Sequence, residues 1–141
     1  MENETFEIVH TMTDWYDGPR RGVADFQGRP HLYECERDYS NANTYASTFL
    51  LTSIPQDLFL LAVEDWAIWL RWEAAFKKGA VTHESHPALP AERGRHIVLR
   101  NLLRKRLKSV ARRSFRVAAD FRVVENAATG TNLEVRWRRR D

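Results

Sequence analysis

Cys35 is the only cysteine among 141 residues. An intramolecular disulfide is therefore excluded, and the chain suits a reducing compartment. Glycine is scarce, at 6 residues, and the glycines are isolated. No phosphate-cradling loop, Rossmann fingerprint or GxSxG nucleophile elbow can be built from them. No CxxC or HExxH string occurs. His83, Glu84 and His86 have a ligand-like spacing, but zinc asks for three or four donors, so neither a metal nor a cofactor is expected. There is no apolar run of about 18 residues, which excludes a spanning helix of ordinary type. The opening MENETFEIVH lacks a basic segment followed by an apolar one, so no signal peptide is expected.

Acidic residues are absent from Arg93 to Arg113, and this gap marks a polarity in the whole chain. Residues 1–92 hold 7 Lys/Arg against 15 Asp/Glu, and residues 93–141 hold 15 against 4. The net charge of +3 conceals this split. It implies either a basic binding face or two halves that attract each other within one fold.

What is present in abundance is aromatic and aliphatic surface. Pro55 to Gly79 reads as one long helix, with Pro55 in the first turn, Ser53 and Gln56 spaced as a capping box, and Gly79 as the left-handed stop. Leu58, Leu61, Trp69, Trp72 and Phe76 share a stripe, and Leu60, Glu64, Arg71 and Lys78 form the wetter side. Asp65 falls inside the aromatic stripe. A carboxylate there needs a partner. One reading pairs it with an arginine of the N-terminal hairpin, and the other makes it an acid in a pocket.

Around this helix the periodicity predicts strands. Phe6 to Trp15 alternates, Asp17-Gly18-Pro19 is a turn, and Val23 to Phe26 meets Pro30 to Glu36 across Gln27-Gly28. Ala46 to Thr52 is a fourth strand. After the irregular stretch 80–94, a basic amphipathic helix starts between Pro90 and His96 and runs to about Val110, with Val98, Leu99, Leu102, Leu103, Leu107 and Val110 on its apolar face. Phe115 to Val123 and Leu133 to Trp137 alternate as a C-terminal hairpin. The order β-β-β-β-α-α-β-β in a single domain, 1–141, predicts an α+β fold, an antiparallel sheet packed on two helices.

Two places could carry function. Arg100, Arg104, Lys105, Lys108, Arg112 and Arg113, joined by Arg136 and Arg138 of the hairpin, would form an anion-binding face for nucleic acid or an acidic protein, without a sequence-reading motif. Alternatively, a small-ligand or enzymatic site lies between the N-terminal strands and the Trp-rich helix. There Arg20 or Arg21 would hold an anion, His31, Tyr33 and Asp65 would be polar anchors, and Trp69 and Trp72 would stack. Cys35 shares a strand face with Tyr33 and His31, with no group evident that would activate its thiol. A homo-oligomer is a third way to bury so much aromatic surface.

The strings WYDGPRRGVADFQGRPHLYE, AVEDWAIWLRWEAAFKKG and HPALPAERGRH resemble small uncharacterised bacterial proteins over more than half the chain. The resemblance implies a recurring bacterial cytosolic domain and transfers no catalytic residue. It does not extend clearly to the Arg-rich last third. The leading expectation is a cytoplasmic, non-catalytic binding module for an anionic partner.

Overall fold

The computed structural model describes residues 5–15, 19–36, 48–110, 113–125 and 131–139. Its elements are β1 (Glu7–Ile8), β2 (Asp14–Trp15), β3 (Pro19–Phe26), β4 (Arg29–Cys35), β5 (Thr48–Ser53), α1 (Gln56–Lys77), α2 (Arg93–Val110), β6 (Phe115–Val123) and β7 (Leu133–Arg139). The fold is α+β, as the alternation of strand and helix periods implies. The strands form one antiparallel sheet in the order β1-β7-β6-β5-β4-β3-β2.

The two edges of that sheet belong to one run of chain. Glu7 pairs with Val135 of β7, and Asp14 pairs with Arg21 of β3. Between them Val9 bridges Ala24, and its carbonyl accepts the Thr131 N–H. The sheet therefore curls until residues 7–15 sew its margins together, and Trp137 Nε1 donates across the seam to the Asp25 carbonyl at 2.9 Å. This is why Phe6 to Trp15, expected as one strand, is divided: its partner changes midway. Closure removes the unpaired edges that would otherwise invite aggregation.

The interior is filled by Val9, Tyr33, Leu51, Val117 and Val135 together with Phe49 and Trp137. The rings of Tyr33, Phe49, Phe121 and Trp137 meet tilted or edge-on, with centroids 5.6 to 6.2 Å apart, the arrangement their quadrupoles favour. Burial pushes the Tyr33 phenol well above its ordinary pKa, and its hydroxyl donates to the Thr11 carbonyl at 2.8 Å.

The helices lie outside. Val23 and Leu32 point away from the interior and pack against Ile54 and Leu58, with Leu103 and Leu107 of α2 completing the layer. The expected capping box does not form. Ser53 closes β5, and Pro55 caps α1 without a side-chain hydrogen bond. Gly79 does take a positive φ of 76° just past the end of α1. Trp66 and Trp72 are buried, but Leu60 and Leu70 are exposed, so α1 is covered on one side rather than all round. On α2, Val98 and Leu102 are also exposed; the covered seam runs through Leu99, which packs on Ile68 and Ala88, and through Leu103 and Leu107, which pack on the layer of Val23, Leu32, Ile54 and Leu58.

Acid and base from the two halves meet across these layers. Arg95 grips Glu64, Arg106 grips Asp57, and Arg116 grips Glu36. In the hairpin, Asp120 sits between Arg136 and Arg138. The Arg136 hydrogen bond, helped by Arg138, holds the Asp120 carboxyl below the usual range, and Arg106, Arg95 and Arg71 do the same for Asp57, Glu64 and Glu92. A carboxyl with a depressed folded pKa stabilises the fold above its unfolded value and loses that contribution as pH falls. Unfolding midpoints in urea are therefore expected to stay level from neutrality to about pH 5 and to fall below it, roughly the unperturbed carboxylate range. Asp120→Asn, which cannot titrate, should soften that fall.

Candidate functional site

A cavity of about 700 Å³ opens where the sheet's outer surface meets the two helices, within the size range of small-molecule sites. Its walls come from six places, one of them Pro87 in the connection between the helices. Thr11, Thr13 and Asp14 belong to the N-terminal run; Arg21 and Gly22 to β3; Glu34 to β4; Asp65 to α1; and His96, Arg100, Arg104 and Lys108 to α2. Four of those α2 residues stand at intervals of four. That spacing puts them on one stripe, turn above turn. The apolar neighbours Leu103 and Leu107 pack toward the sheet and fix which way the stripe looks.

The charges of the cavity fall into two groups. Arg21 Nε lies 3.3 Å from Glu34 Oε1, and Asp65 Oδ1 lies 2.6 Å from His96 Nδ1. These pairs are internally satisfied. Asp14 adds one carboxylate on the sheet side. Arg100, Arg104 and Lys108 are exposed cavity-lining cations that make no ion pair with any described carboxylate. The contrast within one helix is sharp. Arg95 and Arg106, which face α1, each have an acid.

The structure thus joins two residues of one sequence-derived site to three of the other. Arg21 and Asp65 come from the proposed ligand pocket, and Arg100, Arg104 and Lys108 from the proposed basic face. Asp65 meets a histidine of α2, not an arginine of the N-terminal hairpin. Arg20 and Arg21 stand on β3, which reaches back to Pro19, and alternate in direction; Arg20 Nη1 reaches Cys35 Sγ at 3.1 Å. His31 is buried with its Nδ1 on the Arg29 carbonyl and its ring against Phe26 and Phe115. Tyr33 fills the sheet interior. Trp69 stacks on Trp66, and Trp72 stacks on Phe76 while donating to Ser85 Oγ. None of these five residues, Arg20, His31, Tyr33, Trp69 and Trp72, lines the cavity.

On the basic face, Arg136 and Arg138 are tied to Asp120, and Lys105 and Arg113 are exposed but away from the cavity. Arg112 lies outside the described residues. His83 and His86 pack against Phe76 and Trp72, and among the described residues no group of three or more His, Cys, Asp or Glu could hold a metal ion. No described helix is long and apolar enough to cross a membrane. His96 escaped the sequence reading because it opens the helix as a lone histidine. The signal was its place at the head of the four-residue spacing that continues through Arg100, Arg104 and Lys108.

No family model matches the chain, and neither the curated proteins nor the solved structures offer a match.

Proposed function

We propose that the protein binds a small, multiply charged anion in the cavity between the sheet and α2. One observation carries this reading: three cations on one helical stripe line a cavity and have no carboxylate partner among the described residues, while Arg95 and Arg106 of the same helix are paired. Eight residues of helix separate Arg100 from Lys108, a rise of about 12 Å. One carboxylate cannot touch all three residues. A chain of phosphates can, and guanidinium and ammonium groups suit phosphate oxygens. The concave shape favours a small ligand over a flat macromolecular face. The self-pairing of Arg136 and Arg138 with Asp120 removes charge from the hairpin part of the basic face.

The likeness to small bacterial proteins and the single cysteine support a bacterial, cytosolic setting. The test is calorimetric titration with inorganic tripolyphosphate at low and moderate salt. Saturable binding that weakens as salt rises is expected. Absence of heat and of any thermal stabilisation would end this reading. A single-stranded oligonucleotide that binds more tightly than tripolyphosphate would transfer the site to nucleic acid.

A further inference from the structure

Asp65 and His96 do more than lock α1 to α2. We propose that they form a general-base pair that directs water onto the phosphorus of an anion held by Arg100, so that the cavity hydrolyses a phosphoanhydride. This inference rests on the anion-binding reading above.

Asp65 Oδ1 is 2.6 Å from His96 Nδ1. A carboxylate can only accept, so in the neutral imidazole Nδ1 carries the proton and Nε2 keeps its lone pair. Nε2 has no protein partner among the described residues, and His96 lines the cavity. The pair is shielded, with 20% of the Asp65 and 14% of the His96 side chain exposed. The carboxylate fixes the tautomer and the orientation of the ring, which leaves Nε2 as the nitrogen able to take a proton. His96 stands one turn before Arg100, about 5 to 6 Å away between Cβ atoms. A phosphoryl group on Arg100 therefore lies within reach of a water held by Nε2.

A second histidine–carboxylate pair shows what a structural pair looks like here. His10 bonds Asp25 through Nε2 at 2.9 Å, with its ring edge-on to Phe59 at 4.8 Å and away from the cavity. The two pairs are equally shielded, with 15% of the His10 and 14% of the His96 side chain exposed, and they differ in that His96 lines the cavity beside Arg100.

The step balances without any further reagent. A water O–H gives its proton to His96 Nε2 as the oxygen bonds to the terminal phosphorus. The bond from that phosphorus to the bridging oxygen breaks, and the electron pair leaves with the bridging oxygen. With tripolyphosphate the products are pyrophosphate, orthophosphate and the proton, which His96 returns to solvent. The leaving oxygen is already a good leaving group, so no separate acid is required. Arg104 and Lys108 sit along the stripe to hold it. His96 is the catalytic residue in this scheme, and Asp65 is a positioning residue.

The experiment uses the full chain with tripolyphosphate and follows both heat of binding and orthophosphate release across pH. Wild-type protein should bind and release phosphate, with an acidic limb in its rate–pH profile. His96→Gln should bind within about threefold of wild type but release phosphate about 10² to 10⁴ times more slowly, the usual worth of a general base, and should lose the limb. Asp65→Asn should bind within about threefold of wild type but lower kcat for phosphate release with KM held, since the ring loses the carboxylate that fixes its tautomer. A purely interhelical clamp predicts lower melting temperatures and unchanged profiles. Binding without phosphate release by wild type, or equal release by His96→Gln, overturns the base while leaving the anion site standing. No binding at all removes the site and the base together.

Discussion

Gly22→Ala is expected to destabilise the protein by about 3 kcal/mol, at or beyond the upper end of ordinary overpacking. A β-carbon at Gly22 would lie 2.2 Å from the Thr11 carbonyl oxygen and 2.7 Å from the Tyr33 hydroxyl. Neither contact can yield cheaply. The Thr11 carbonyl accepts the Tyr33 hydroxyl at 2.8 Å, and the Thr11 N–H is bonded to the Val23 carbonyl while its Oγ accepts the Val23 N–H at 2.9 Å. Residues 9–13 are thus fastened to β3 at the place where the sheet closes. Pushing them away would undo the seam and leave a buried phenol without its acceptor, a penalty of its own. Chemical denaturation should show a lower midpoint. If the alanine variant unfolds like wild type, the N-terminal run does not lie where the closed sheet requires. Because Gly22 also lines the cavity, a variant that still folds should lose ligand affinity as well.

This same seam marks the limit of what could be read in the sequence. Local chemistry was legible wherever one segment decides its own state. Gln27 and Gly28, with φ of 54° and 75°, make the tight hairpin between β3 and β4 that their residue types suggest. The alternation from Phe115 to Val123 is β6, and α2 ends at Val110. Closure is a different kind of fact. It needs residues 7–15 to pair with β7 at one end and β3 at the other, and period-two alternation says nothing about which strand lies on either side. The faces of α2 show the same limit. Val98 and Leu102 belong to the apolar arc by angle, yet a surface helix buries only the seam that touches its neighbours, here chiefly α1. The site was half visible for the same reason. Arg100, Arg104 and Lys108 could be placed on one helix face, but not opposite Arg21 and Asp65. His96 gained meaning only when α1 brought Asp65 to its Nδ1.

Neutralising Arg100, Arg104 and Lys108 together as glutamines is expected to lower tripolyphosphate affinity about 10³-fold. Each charge-assisted contact is worth about 1.5 to 3 kcal/mol, and about 1.4 kcal/mol is a factor of ten. Single variants should lose roughly tenfold each, and the salt dependence of binding should flatten as cations are removed. Arg95→Gln is the control on the same helix: its guanidinium is already engaged by Glu64, so affinity should hold. Stability should respond in the opposite order. Arg95 makes an exposed ion pair of the kind that adds little to stability, so its loss lowers the melting temperature slightly or not at all. The three cavity cations repel one another at four-residue spacing, at a cost of a few tenths of a kcal/mol per pair. The triple glutamine variant should therefore melt at or above the wild-type temperature. Cations that served the fold would show the reverse, with stability falling and binding untouched. A helix that keeps like charges in a row beside a cavity, while its Arg95 and Arg106 find acids, bears a cost that a bound anion would relieve.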